Sequence, residues 1–217
     1  MNKYTPLTII LIIIIGSILI GAWIWTNLPI QTINPNEIRE YNGQKLNSIN
    51  DFRNEAIKGN QDINISTYTL TITGLVQHET ILTYDEIVNT HAHYQKVATL
   101  HCVEGWEVTV LWEGILLKDL LQDAQYNPNA QILIFYSQDG FTTSLPTSYI
   151  VNNDIIIAYT VNGLTLPKSE GYPFQLVAEG KLGYKWAKWI TKIEVSNDTS
   201  FRGYWESRGY SNDADWP

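Results

Sequence analysis

Nineteen consecutive positions, Leu7 to Trp25 (LTIILIIIIGSILIGAWIW), carry no charged side chain, and of these only Thr8 and Ser17 bear a hydroxyl. As a helix rising about 1.5 Å per residue, the run reaches roughly 28 Å, enough to cross the hydrocarbon core of a bilayer. The chain therefore divides into a membrane anchor at residues 1–25 and a separately folding remainder. A cleaved secretory signal is the competing reading, but its apolar stretch is usually shorter, and SILIGAWIW lacks the small-x-small pattern of a cleavage site. Trp23 and Trp25 fall where an interfacial aromatic belt would lie, and Lys3 with the amino terminus supplies the nearby positive charge. That asymmetry keeps the N-terminus inside and puts the folded part on the extracytoplasmic side of the cell membrane.

Beyond the anchor, 8 Trp, 13 Tyr and 5 Phe against a single Met favour strands over a helical bundle. A chain of 217 residues with 44% hydrophobic content can bury a full core. Losing Lys3 with the anchor takes the net charge from −8 to −9, which argues against nucleic acid as a partner.

Residues 26–61 show no sustained periodicity and read as a tether, and the domain is expected over 62–217. STYTLTITGLV alternates polar and apolar positions as a strand does. Thr83 and Glu86 stand at capping-box spacing ahead of a short helix. Leu117, Leu120 and Leu121 mark one face of another. QILIFYS and DIIIAYT read as buried strands closed by the QDG and VNG turns, and YPFQLVAE and KWITKIEVS supply the last strands. The pattern is that of an α+β domain: mixed sheets with short helices.

The one cysteine, Cys102, sits in TLHCVEGWEVTVLW between two of these strands. It has no partner for an internal disulfide, and an exposed free thiol in an oxidising compartment is prone to oxidation. By residue type alone a buried, inert cysteine is favoured. Structural zinc would need several Cys or His at paired spacing. Blue copper would need a His shortly after the Cys and a Met beyond. His91 and His93 in HAH share a strand face, with no third ligand near them in sequence. A papain-like pair of Cys102 with His78 or His91 carries no family signature. Trp106 and Trp112 read as core, and His101, next to the cysteine, as packing.

TLHCVEGWEVTVLWEGILLKDLL resembles the cysteine segment of the sulfite oxidase family's molybdopterin-binding domain, whose members include the bacterial protein-methionine-sulfoxide reductase. The likeness continues in order through YSQDGFTTSLP, DIIIAYTVNGLTLPKSEGYPFQLV, LGYKWAKWITKIEV and GYWESRGYSNDADW. It implies a sulfite-oxidase-like fold and a cofactor of molybdenum with molybdopterin, with Cys102 as the metal-ligating, catalytic residue. It further implies cofactor contacts within GKLGYKWAKW, at Lys185 first, then Lys181, and at Tyr159, Asn162 and Asp139; Lys188 stands in the same run, with a solvated strand residue as its alternative reading. The family commonly places an Arg where this chain has Gln175, and a Pro where LVAEG departs from it. Gln offers a hydrogen bond without a charge.

In that family, sulfite oxidation goes with an Arg-rich run after the cysteine, whereas here Val103, Glu104, Gly105 and Trp106 follow. The resemblance thus implies two-electron oxygen-atom transfer on a small or protein-borne oxo compound, a sulfoxide being the candidate. With no haem motif in the chain, a separate, membrane-bound redox partner is expected. A cofactor-free extracellular binding module that kept the fold is the alternative, resting on Gln175 and Ala178.

Overall fold

The alternation in STYTLTITGLV turns Leu70 and Ile72 inward on β3 (Thr69–Gly74) and leaves its threonines at the surface. In the computed structural model, which describes Ser17, residues 34–53 and residues 55–217, this strand belongs to a five-stranded mixed sheet. Its order is β4 (Thr80–Thr83), β3, β12 (Ile190–Ser196), β7 (Ile132–Ser137), β8 (Thr142–Pro146). β12 runs parallel to β3 and antiparallel to β7, so the last strand joins the beginning of the domain to its middle.

The second sheet is antiparallel, ordered β10 (Leu164–Thr165), β9 (Ile156–Val161), β6 (Glu107–Leu116), β5 (His93–His101), with β11 (Gln175–Val177) also paired to β9. Both sheets feed one core that includes Leu70, Trp112, Ile115, Phe135, Phe174 and Ile193. The register of β6 on β9 shifts at Gly114, where a Cβ would stand 2.1 Å from the Ile157 carbonyl oxygen. No residue with a side chain fits that approach.

Short helices cover the sheets as the sequence predicts. At α1 (Tyr84–Thr90) the Thr83 hydroxyl accepts from the Glu86 amide while the Glu86 carboxylate accepts from the Thr83 amide. On α2 (Leu117–Asp123), Leu117, Leu120 and Leu121 are buried, and α3 (Thr147–Asn152) buries Ile150. Asn162 and Gly163 take positive φ between β9 and β10, as a two-residue hairpin turn requires.

The expectation of a tether up to residue 61 needs correction, because the compact unit begins at Pro35. A two-residue ladder, β1 (Glu40–Tyr41) with β2 (Gln44–Lys45), turns over Asn42-Gly43. Leu46 is buried, and Phe52 packs edge-on against Trp112 at 5.8 Å. Buried Glu37 accepts hydrogen bonds from the Ile49 amide, the Ser48 hydroxyl and the Asn162 side-chain amide. The Asn162 tie spans 125 residues of chain, and contacts of this kind leave no periodicity to read. The predicted anchor and the first part of the tether lie outside the described residues, apart from Ser17. No helix among the described residues is long and apolar enough to cross a membrane.

Candidate active site

The antiparallel register of β5 and β6 sets His101 opposite Glu107 and leaves five residues, Cys102 to Trp106, to turn between them. The Cys102 amide donates to the Trp106 carbonyl (2.9 Å) and the Gly105 amide to the Cys102 carbonyl (3.1 Å), with Gly105 at φ 83°. The 3₁₀ turn Gly183–Lys185 comes up beside this loop; a Cβ on Gly183 would lie 3.6 Å from Cys102 Cα. A strand end thus delivers the half-buried cysteine to the rim of a cavity of about 370 Å³.

Widely separated segments wall that cavity. Trp106 flanks the cysteine, Trp186 and Trp189 form one side, and Tyr204 and Trp205 form another. Gln175 and Asp139 are among the polar residues of the lining, and Arg53, Glu55, Ala56 and Ile57 of the N-terminal segment line it too.

Burial raises the Cys102 thiol above the ordinary cysteine range, and the carboxylates of Glu104 and Glu55 push the same way. The backbone N–H groups of Glu104 and Val103 oppose them by donating toward the sulfur. A sulfur met by two amides suits a thiolate once another cation offsets the neighbouring carboxylates.

Two polar groups on the wall lack any partner. Gln175 has no exposed surface, yet neither its amide oxygen nor its amide nitrogen is hydrogen-bonded, and the Trp106 indole N–H is also unpaired. Burying such groups without partners is costly, so they point to a ligand with a polar edge. Aromatic walls suit a flat ring, and the thiol supplies one soft donor. No group of three or more His, Cys, Asp or Glu among the described residues could hold a metal. A metal at Cys102 would take its other ligands from a non-protein group, and the residues present fit molybdenum carried by a pterin.

Of the residues predicted for cofactor contact, Asp139 does line the cavity, while its Oδ1 accepts from the Phe141 amide to hold the β7–β8 turn. Lys185, Lys181, Tyr159 and Asn162 are not brought to it. The Lys185 ammonium is fully buried between Glu206 Oε1 (2.5 Å) and the Ser144 carbonyl (3.0 Å). Lys181 pairs with Asp215 and donates to the Asp213 carbonyl, fastening the C-terminal segment. Tyr159 bonds His93 and Glu113, at the end of β5 opposite Cys102 and roughly 30 Å from it along the strand at about 3.4 Å per residue. Asn162 holds Glu37 and the Leu111 amide inside the domain.

The lysine that does line the cavity is Lys188, paired with Glu170 at 3.0 Å. Trp112 is core as expected, whereas Trp106 belongs to the cavity. His91 and His93 diverge, the first to Asp123 and the second to Tyr159 and the Val88 carbonyl. The segment bearing Arg53 and Glu55 gave no signal in sequence, while Gln175 was marked there only as a departure from a family pattern.

The family model of the oxidoreductase molybdopterin-binding domain matches residues 57–205. An uncharacterised oxidoreductase of Bacillus subtilis, YuiH, is 29% identical over 147 residues, covering 67% of this chain and 73% of that protein. A putative protein-methionine-sulfoxide reductase subunit of Azospira oryzae, YedZ1, is 30% identical over 153 residues, covering 70% of this chain but 57% of that one. In fold, the sulfane dehydrogenase SoxCD of Paracoccus pantotrophus superposes with a TM-score of 0.62 at 23% identity, over 64% of this chain and 41% of its own. Two of these three relatives are thus matched over less than two thirds of their length.

Proposed function

The chain belongs to the oxidoreductase molybdopterin-binding domain family, and from that premise we propose that it carries out two-electron oxygen-atom transfer, reducing a sulfoxide, with Cys102 as the ligand of molybdenum. The observation that carries this reading is the placement of Cys102 on the rim of a cavity whose wall holds the unpartnered amide of Gln175 and the unpartnered indole N–H of Trp106. When bound, molybdenum with molybdopterin supplies the redox chemistry by which a sulfoxide, two electrons and two protons become a sulfide and water.

The protein's own groups bind, orient and exclude water. Cys102 Sγ would hold the metal, with the Glu104 and Val103 amides favouring its thiolate. Gln175 and Trp106, unpartnered as they stand, would hydrogen-bond the polar edges of a bound group, and the aromatic lining of Trp186, Trp189 and Trp205 would help exclude water. The apolar run at residues 7–25 supports a membrane anchor with the domain on the extracytoplasmic side. The electrons come from a separate, membrane-bound redox protein.

Molybdenum and pterin should both be measured in protein purified from its native host. Equimolar amounts of each, with molybdenum lost in Cys102→Ser, are the expected result. Absence of both, with Cys102 free to alkylate, sinks the reading in favour of a cofactor-free binding module. Retention of a normal molybdenum signal by Cys102→Ser refutes the ligand assignment.

A further inference from the structure

We infer that electrons enter this chain at Trp216, under a docking surface for a basic one-electron carrier protein, and reach Cys102 through the His101 ring. This rests on the oxo-transfer reading above and names the kind of partner that feeds it. Trp216 is one of five large hydrophobic side chains exposed among the described residues, at 45%. It is nonetheless held in place: its amide donates to the Gly180 carbonyl at 2.9 Å, and the nearby Ala214 carbonyl accepts from the Leu182 amide at 2.8 Å. One face of its ring lies flat on His101, with centroids 4.0 Å apart and planes 3° from parallel. His101 in turn is joined to Cys102 by a single peptide bond. A surface ring, a stacked ring and the cysteine thus form a short, fixed series, and electron transfer through protein weakens steeply with every added gap.

The surface about Trp216 is acidic. Glu107 brings a carboxylate oxygen to 2.9 Å from His101 Nδ1, and its side chain is 64% exposed. Asp215 pairs with Lys181 yet is 71% exposed, and exposed Asp213 stands beside it, its carbonyl accepting from the Lys181 ammonium. Three carboxylates gather about one largely covered ammonium, and a protonated His101 would still leave them in excess. Val103, which follows Cys102 and lines the cavity, is a second of the five exposed hydrophobic side chains. An aromatic centre with a charged rim is the make-up of a protein interface, and the sign of this rim calls for a lysine-rich partner. Such charges speed encounter more than they tighten binding, which suits a carrier that must leave after each delivery. Each docking moves one electron from the carrier, which is oxidised, into this protein. Two dockings supply the two electrons that, with two protons from water, turn a sulfoxide into a sulfide and water.

The probe is a low-potential c-type cytochrome with a lysine-rich haem edge, and dithionite is the small reductant for comparison. Calorimetry with the oxidised cytochrome and the cofactor-loaded protein is expected to show binding that weakens at least about tenfold between about 20 and about 200 mM salt. At low salt, Glu107→Gln/Asp213→Asn should bind several-fold more weakly than the wild type. Stopped flow then follows the haem bands of the reduced cytochrome at saturating concentration. Transfer should be several-fold slower in Trp216→Ala and close to the wild-type rate in Trp216→Phe, while dithionite reduces all three proteins equally fast. Absence of binding, salt-independent binding, unchanged affinity in the double variant or an unchanged transfer rate in Trp216→Ala overturns the inference. So does self-association of the protein through this face that Trp216→Ala abolishes. Molybdenum and pterin are measured in the same preparations. Full cofactor with wild-type transfer in Trp216→Ala sinks electron entry at Trp216 alone, whereas absence of cofactor sinks the reading it rests on.

Discussion

Lys185 Nζ lies 2.5 Å from Glu206 Oε1, and neither side chain has any exposed surface. Thr143 donates to the same carboxylate oxygen at 2.6 Å, and the ammonium also donates to the Ser144 carbonyl. The pair ties the turn beneath the cysteine loop to the segment that carries Tyr204 and Trp205, so it braces two walls of the cavity. Burial lowers the Lys185 amine below its usual range, and Glu206 opposes that shift.

Lys185→Met strands a buried carboxylate and is expected to cost about 3–5 kcal/mol in chemical denaturation. Replacing Glu206 as well, with Leu, should recover a large part of the loss. Cofactor content falling without any change in the stability of cofactor-free protein would return Lys185 to a binding role.

Asn162 fastens the N-terminal segment through Glu37 and the Asn47 carbonyl, and its Oδ1 accepts from the Leu111 amide. Asn162→Ala leaves buried groups unpaired, and a loss of about 2–3 kcal/mol is expected. Limited proteolysis should then cut within residues 35–60 well before the wild type is cut there. Equal cleavage rates would mean that the segment is held by other contacts.

In cofactor-free protein the Cys102 thiol is raised by burial and by Glu104 and Glu55. The thiolate is the reactive form, so a raised pKa leaves less of it at neutral pH. Iodoacetamide labelling should therefore climb through a higher pH range than that of a free cysteine. Glu55→Gln removes one of the charges and should shift the profile downward. A wild-type midpoint below the ordinary thiol range would contradict this account.

Trp216 stacks on His101 with ring centroids 4.0 Å apart and planes 3° from parallel. His101 thus packs, as the sequence suggested, against a ring 115 positions further along the chain. Trp216→Ala should cost about 1 kcal/mol in thermal unfolding. Asp215→Asn, at a pair whose carboxylate is largely exposed, should cost less than about 1 kcal/mol.

What could be read from the sequence was local. The Thr83–Glu86 cap, the inward leucines of α2, the alternation in β3 and the turns at Gly140 and Gly163 all depend on contacts within a few residues. The cysteine between two strands, and the ordered likeness around it, were legible for the same reason. The lysines were not. Lys181, Lys185 and Lys188 stand close together in sequence, yet one fastens the C-terminal segment, one is buried against Glu206, and one lines the cavity.

By itself the sequence determined the elements, the class of fold and the position of Cys102 at a strand end, because hydrophobic periodicity, capping and turn chemistry act over neighbouring residues. The tertiary structure decided which side chains share the cavity. Strand register sends Tyr159 to the far end of β5, and the buried bonds of Glu37 to Ser48, Ile49 and Asn162 tie the segment from Glu37 to Ile49 to the domain. Those choices are settled by partners distant in sequence, and the energy of pairing a buried polar group leaves no local pattern to read.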